Sequence, residues 1–286
     1  MLEIILLLLS LGVLCAASYF DLKTREIPDL LSYGFLFAAI GIRIIFSVES
    51  GFYVLIEGLL GLGLALSIGF LLYLTHQWGG GDAKLLFGLG VVFGVSLPFN
   101  WSSLGFVLYI LLVFLVGAVY GLIWMIVLSF RSAHFWREFR KVLLNQNKIH
   151  YTLVGVFIIS LILTLWNILF IILGIFPILI FYLLIFVQHV EKTCFVKSVS
   201  PLRVTEGDWM VGKVYVGSRV VLDKRTLELE DVRLLQRLHA EGKLNEVTIK
   251  EGIPFAPSFL IGFLIFQAAL LWLLGYQQWA LLVLFG

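Results

Sequence analysis

Residues 151–190 read YTLVGVFIISLILTLWNILFIILGIFPILIFYLLIFVQHV, and the number of times they cross a bilayer decides the arrangement of the whole chain. As one helix, at about 1.5 Å per residue, the stretch would measure about 60 Å, twice a hydrocarbon core of roughly 30 Å. Two crossings that turn at Gly174-Ile175-Phe176-Pro177 accommodate it. The choice also sets a side. With two crossings, the charged segment that follows lies on the same side as the earlier basic loops; with one, its 11 basic residues would lie opposite them.

Working outward, apolar segments near 2–20, 30–47, 53–74, 83–97, 104–129 and 258–284 each approach the roughly 20 residues that span a bilayer as a helix. Together with 152–173 and 175–190 they predict a polytopic α-helical membrane protein of about eight transmembrane helices. The composition agrees: 61% of the 286 residues are hydrophobic and 13% charged, against about 45–50% and about 25% in soluble domains. The charge is also uneven, with 21 of 38 charged side chains in residues 191–252. We therefore expect a transmembrane catalytic body over 1–190, a small cytoplasmic α+β domain over 191–252, and a C-terminal transmembrane helix over 253–286.

Several classes drop out early. A net charge of +2 does not suggest nucleic-acid binding. Two cysteines, Cys15 and Cys194, exclude a disulfide framework or a four-cysteine zinc site, and the five histidines form no HExxH or other close ligand pair. No metal or cofactor is expected. A cleaved signal peptide before Ala16-Ala17-Ser18 is disfavoured, because Glu3 and no basic residue precede the apolar run.

Loop charges orient the helices. Lys23 and Arg25, then Lys84, then Arg131, Arg137, Arg140, Lys141 and Lys148 fall on one side by parity, and the intervening loops 48–52 and 98–103 have no lysine or arginine. That side is read as cytoplasmic. Arg43 is the exception, expected to snorkel outward.

Eight acids remain outside 191–252: Glu3, Asp21, Glu26, Asp29, Glu49, Glu57, Asp82 and Glu138. Carboxylates in membrane helices are costly, so each needs a reason. Glu3, Glu49 and Glu138 lie in or beside water, Glu57 reaches the outer interface, and Glu26 and Asp29 read as solvated loop acids. Asp21 closes span one and Asp82 opens span four at the same cytoplasmic depth, which suggests a dyad. Asp82 follows Gly79-Gly80-Gly81, where absent side chains permit close approach of another backbone; capping of the fourth helix is the structural alternative. Asp21 stands at a helix C-terminus, where negative charge is disfavoured. These dipole settings assign the charge to Asp82 and the proton to Asp21, with Asp82 activating a water and Asp21 polarising the scissile carbonyl. Lys84 either snorkels to headgroups or biases the dyad toward ionisation. His76 reads as an interfacial residue rather than a third catalytic group.

The run Asp21-Leu-Lys-Thr-Arg-Glu-Ile-Pro28 after a first span, with Gly79-Gly80-Gly81-Asp82-Ala83-Lys84 opening a later one, resembles the archaeal preflagellin and type IV prepilin peptidases, which are GxGD membrane aspartyl proteases. Glu206-Gly207-Asp208-Trp209 and residues 252–259 (GIPFAPSF) are similar to a C-terminal segment of archaeal members. The resemblance implies an aspartic endopeptidase with Asp21 and Asp82 as the catalytic pair and Gly79, Gly80, Gly81 and Lys84 shaping the site or binding substrate. Its partner would be a type IV pilin or flagellin precursor with a short basic leader before a hydrophobic helix, cut at the cytoplasmic face of the cell membrane. Six spans are usual in preflagellin peptidases, so six is the alternative count. Bacterial relatives add a zinc loop and N-methylation; without paired CxxC motifs, neither is implied here. A presenilin-like assignment is not supported, since Phe20 precedes Asp21 and no Pro-Ala-Leu occurs. The competing functions are a transporter or channel, which expects acids at the midplane and internal repeats, and a non-catalytic surface-filament assembly protein.

In 191–252 the alternation predicts strands at Val196–Val199, Leu202–Thr205, Val214–Val221 and Val247–Ile249, and a helix over 228–241. Substrate docking and plain structural support are both open roles for it.

Overall fold

The structure is a computed structural model that describes the chain except His76, 99–102, Ser218, Arg225 and Gly286, and describes no side chain at Asn147 or 274–285. The expectation for His76 lies outside the described residues. Ten helices are described: α1 Leu2–Thr24, α2 Asp29–Ser50, α3 Tyr53–Leu74, α4 Gly80–Phe93, α5 Leu104–Arg131, α6 Phe135–Leu144, α7 Asn147–Leu163, α8 Ile171–Thr193, α9 Leu229–Ala240 and α10 Ala256–Phe285.

Among the described residues, six helices are long and apolar enough to cross a membrane: α1, α2, α3, α5, α8 with the 3-10 turn Ile168–Phe170 before it, and α10. The chain is a multi-pass membrane protein with six such helices rather than eight; the bent pair α6 and α7, if one span, would make seven. Segment 83–97 departs from expectation because α4 has only 14 residues, about 21 Å of helix.

The hairpin within 151–190 exists, but its turn falls at Thr164–Asn167. Asn167 caps the next turn by accepting the Leu169 N–H at 2.9 Å. Gly174 lies inside α8 instead, where a Cβ would stand 2.0 Å from Ser160 Oγ of α7. Its glycine serves helix contact, not a turn. Pro177 is also interior to α8, as membrane helices tolerate.

The chain packs as two compact units, one formed by Met1–Gly121 with Ile253–Gly286, the other by Leu122–Gly252. In the first, α4 is sunk against α3 and α2. Its Ala83, Leu85, Leu86, Gly88, Leu89, Gly90 and Val91 are buried, and they meet the small-residue face Gly58, Gly61, Ala65 and Gly69 of α3. A Cβ on Gly61 would lie 2.1 Å from the Gly90 carbonyl oxygen, so only glycine permits this approach.

Arg43 does not snorkel outward; it is 4% exposed. Its Nε donates to the Val91 carbonyl at 2.6 Å, Nη1 to Val54 at 2.7 Å and Nη2 to Val92 at 3.0 Å. The last carbonyls of a helix lack intrahelical partners, and where water is scarce something else must satisfy them. Arg43 does so for the end of α4.

In the second unit, the basic loop after α5 contains α6, a strongly amphipathic helix that the span count passes over. Phe135 on its apolar face is buried against Phe186 and His189 of α8, with ring centroids 5.8 and 5.0 Å away. The strands are β1 Val196–Val199, β2 Trp209–Met210, β3 Val214–Val216, β4 Arg219–Leu222 and β5 Val247–Lys250. One antiparallel sheet runs β1-β5-β2, and β3 and β4 pair as a hairpin. The expected strand at Leu202–Thr205 is replaced by a 3-10 turn at Pro201–Arg203, where Pro201 offers no N–H and Ser200 accepts from Leu202. The expected run Val214–Val221 is divided after β3 by Gly217 at φ +62°. Val204, Met210, Leu222, Leu227, Leu235 and Val247 form the small core.

Candidate active site

Asp21 lies in the last turn of α1 and is 7% exposed. Its partner comes from the other end of the sequence. The Ala256 N–H donates to Asp21 Oδ2 at 2.8 Å, and the Phe255 N–H also bonds to this carboxylate. Ala256 is the first residue of α10, so the carboxylate sits at a helix N-terminus, where unpaired N–H groups and the helix dipole favour negative charge.

Asp82 is half-buried and is the third residue of α4, with Gly79 as its N-cap. The Gly79 N–H donates to its carboxylate, one half of a capping box. Capping therefore involves Asp82, from the third position rather than the cap. Enclosure by protein pushes the Asp82 carboxyl up, to about 7; the negative charge of Asp21 adds to the rise and the Gly79 bond opposes it. The two carboxyl groups are close enough to interact, and they are unequal. Asp21 receives two main-chain N–H bonds from the start of α10 and Asp82 one from Gly79, so by hydrogen bonding Asp21 is the better-held anion, the reverse of the assignment from each aspartate's own helix. The deciding dipole belongs to α10, which the local sequence around Asp21 does not contain.

The two motifs also touch at their edges. A Cβ on Gly81 would meet Ile27 of the α1–α2 connection at 3.2 Å, so the missing side chain admits that connection. Gly80 and Gly79 are looser, with the Tyr73 ring at 3.8 Å and Asp82 Oδ2 at 3.6 Å from their built Cβ positions. Lys84 is engaged by a nearby acid and ring: its Nζ pairs with Asp29 Oδ1 at 2.5 Å and stands 5.1 Å from the Tyr33 ring centroid. Asp29, the first residue of α2, is solvated as expected, 67% exposed, and also paired.

Trp78, next to the glycines, is 8% exposed. Its ring lies 5.5 Å from Phe114, 5.5 Å from Phe255 and 5.2 Å from Phe259. Phe255 and Phe259 flank Ala256 in sequence, so this cluster ties the glycine turn to the start of α10. Gly117 of α5 makes room, since its Cβ would stand 2.5 Å from the Phe255 ring. Tyr120 lies within electrostatic range of Asp21 and Arg25. Sequence reasoning missed Trp78, Phe255 and the Ala256 N–H. The GIPFAPSF run was visible as a resemblance, without a contact to attach it to Asp21. Among the described residues no group of three or more His, Cys, Asp or Glu side chains is placed to hold a metal ion.

Residues 8–126 match the family model described as the type IV leader peptidase family. The match contains both aspartates, the glycine turn and Lys84. No curated protein and no solved structure matches the chain.

Proposed function

We propose, from the premise that residues 8–126 are type IV leader peptidase sequence, that the protein is an aspartic endopeptidase whose catalytic pair is Asp21 and Asp82. The observation that carries this reading is the inequality of two neighbouring carboxyl groups, one held by the α10 N-terminus and the other pushed toward its protonated form. Aspartic proteolysis needs such a pair, with one base and one acid at the same pH.

In the reaction, the Asp21 carboxylate takes a proton from water as the water oxygen attacks the scissile carbonyl carbon. Protonated Asp82 gives its proton to the carbonyl oxygen, forming the tetrahedral diol. Collapse breaks the C–N bond: Asp21 returns its proton to the leaving amine, and Asp82 recovers one from the diol hydroxyl. The open edge at Gly79 and Gly80 admits the extended backbone of the substrate.

The substrate is a type IV pilin-like or flagellin precursor with a short basic leader before a hydrophobic helix, and cleavage removes the leader. Lys23, Arg25 and Lys84 accompany the pair, and the bias of basic residues toward the cytoplasm supports reading the site at the cytoplasmic face of the cell membrane. The test is incubation of membranes holding wild type, Asp21→Asn or Asp82→Asn with a pilin-type precursor. Each variant should lose at least about a hundredfold in rate, the usual range for removing a general acid or base. Full leader removal by either variant overturns the assignment.

A further inference from the structure

We propose that α6 and its flanks form a docking surface for anionic phospholipid headgroups. The inference rests on the multi-pass fold and is independent of the peptidase reading. α5, an apolar span, ends at Arg131, and apolar sequence resumes after Lys148 in α7. Residues 131–148 therefore lie at a bilayer boundary. They contain Arg131, Arg137, Arg140, Lys141 and Lys148, all exposed, and one acid, Glu138. Among the described residues none of the five cations stands within ion-pair distance of a carboxylate; Arg137 instead bonds to His134 Nδ1 at 2.8 Å. Elsewhere in the same unit, Lys197, Lys213, Lys224, Lys243 and Lys250 each have an acidic partner.

The helix is held in place. Phe135 is 1% exposed, packed on Phe186 and His189, and His150 contacts both the Leu143 carbonyl at 2.8 Å and Tyr182 Oη at 3.2 Å. Beside the cations, Phe130 and Trp136 are 70% and 44% exposed with ring centroids 5.3 Å apart. Exposed aromatic rings at the end of a span are the usual interfacial anchor, and clustered basic residues at that depth attract anionic lipid. An acidic soluble partner would account for the cations alone. The adjoining bare aromatic pair selects a lipid surface.

The test is native mass spectrometry of the full chain in detergent with phosphatidylglycerol or phosphatidylcholine added. Phosphatidylglycerol should be retained in preference, and Arg137→Gln/Arg140→Gln/Lys141→Gln should lower its apparent affinity about tenfold. A control that removes the same charge from exposed positions elsewhere, Arg203→Gln/Arg219→Gln/Arg233→Gln, should leave retention unchanged. Should the first triple variant fail to fold, Lys141→Gln and Lys148→Gln singly should each give a two- to threefold loss. Equal binding of both lipids, equal loss in the control, unchanged retention in the α6 variants, or displacement by millimolar inorganic phosphate overturns the proposal; the last would indicate a site for free anions.

Discussion

Buried charges in the unit formed by Met1–Gly121 and Ile253–Gly286 bond to main chain, whereas the ion pairs of Leu122–Gly252 join side chains of which at least one faces solvent. Asp21 accepts from the N-terminus of α10, and Arg43 donates to carbonyls at the C-terminus of α4. Lys197–Glu251 and Lys243–Glu241 are side-chain pairs with much of their surface in solvent. The difference follows from what each setting offers. Away from water the unmet hydrogen-bonding groups are those at helix ends, and the helix dipole sorts them by sign, anion to N-terminus and cation to C-terminus. An isolated charge in a membrane body is thus a pointer to a helix end, here one at each end of the machinery that presents the aspartates. Lys84–Asp29 follows the other rule because Asp29 is 67% exposed.

The largest effect expected from this contrast is at Arg43. Arg43→Met removes the donor from the Val91 and Val92 carbonyls at the end of α4, and a buried polar group left unpaired costs about 1–3 kcal/mol. Relief from burying the guanidinium offsets part of that. The variant should lose about 3 kcal/mol or more, read by reversible unfolding in detergent, with Arg43→Lys in between. A Met variant as stable as wild type would break the comparison, showing that the α4 carbonyls find other partners.

The other helix end is tested by Ala256→Pro, which deletes the N–H that Asp21 accepts while keeping a residue suited to the first position of a helix. In the proposed mechanism activity needs Asp82 protonated, so it should be full below about 7 and fall as pH rises through that value. It also needs Asp21 ionised, so a second limb falls toward acid. A hydrogen bond to a charged group is worth about 1.5–3 kcal/mol, or roughly one to two pH units. Ala256→Pro should therefore move the acid limb up by about one unit or more and leave the alkaline limb in place. Movement of the alkaline limb alone would assign the charge to Asp82.

How much of this is legible in the sequence depends on whether the cause is local. Asp21 and Asp82 stand out because span parity places them at one depth, and the glycine turn marks itself. Their inequality does not, since its source, the Ala256 N–H, is 235 residues from Asp21 and is a main-chain atom that any residue but proline would supply. Arg43 reads as a misplaced loop charge until the short α4 is seen to end beside it. The α3 face is legible in principle, with Gly58, Gly61, Ala65 and Gly69 spaced three or four apart, a helical stripe of small residues. Span counting obscures it, as it obscures α6, because both carry information in their periodicity rather than in mean hydropathy. The turn at 164–167 is missed because Gly174 and Pro177 look like punctuation, while Asn167, the residue with a side chain able to cap, looks like a lapse in an apolar run.

The smallest effect belongs to the solvent-facing pairs and sharpens the contrast from the other side. Lys197 on β1 meets Glu251, just beyond β5, at 2.7 Å, with side chains 49% and 31% exposed. Water and salt already screen both partners, and ordering two long side chains offsets much of the attraction, so such pairs contribute about 0–1 kcal/mol. Antiparallel pairing of β1 with β5 does not depend on it, since the register Val196–Lys250 to Val199–Val247 is held by main-chain bonds. Lys197→Ala should therefore change amide exchange protection in β1 and β5 by less than about 1 kcal/mol, and that difference should vanish in 0.5 M salt, where the Debye length falls to a few ångströms. A loss as large as that expected at Arg43 would show that exposure is the wrong criterion. The distinction would then have to rest on what each charge holds together.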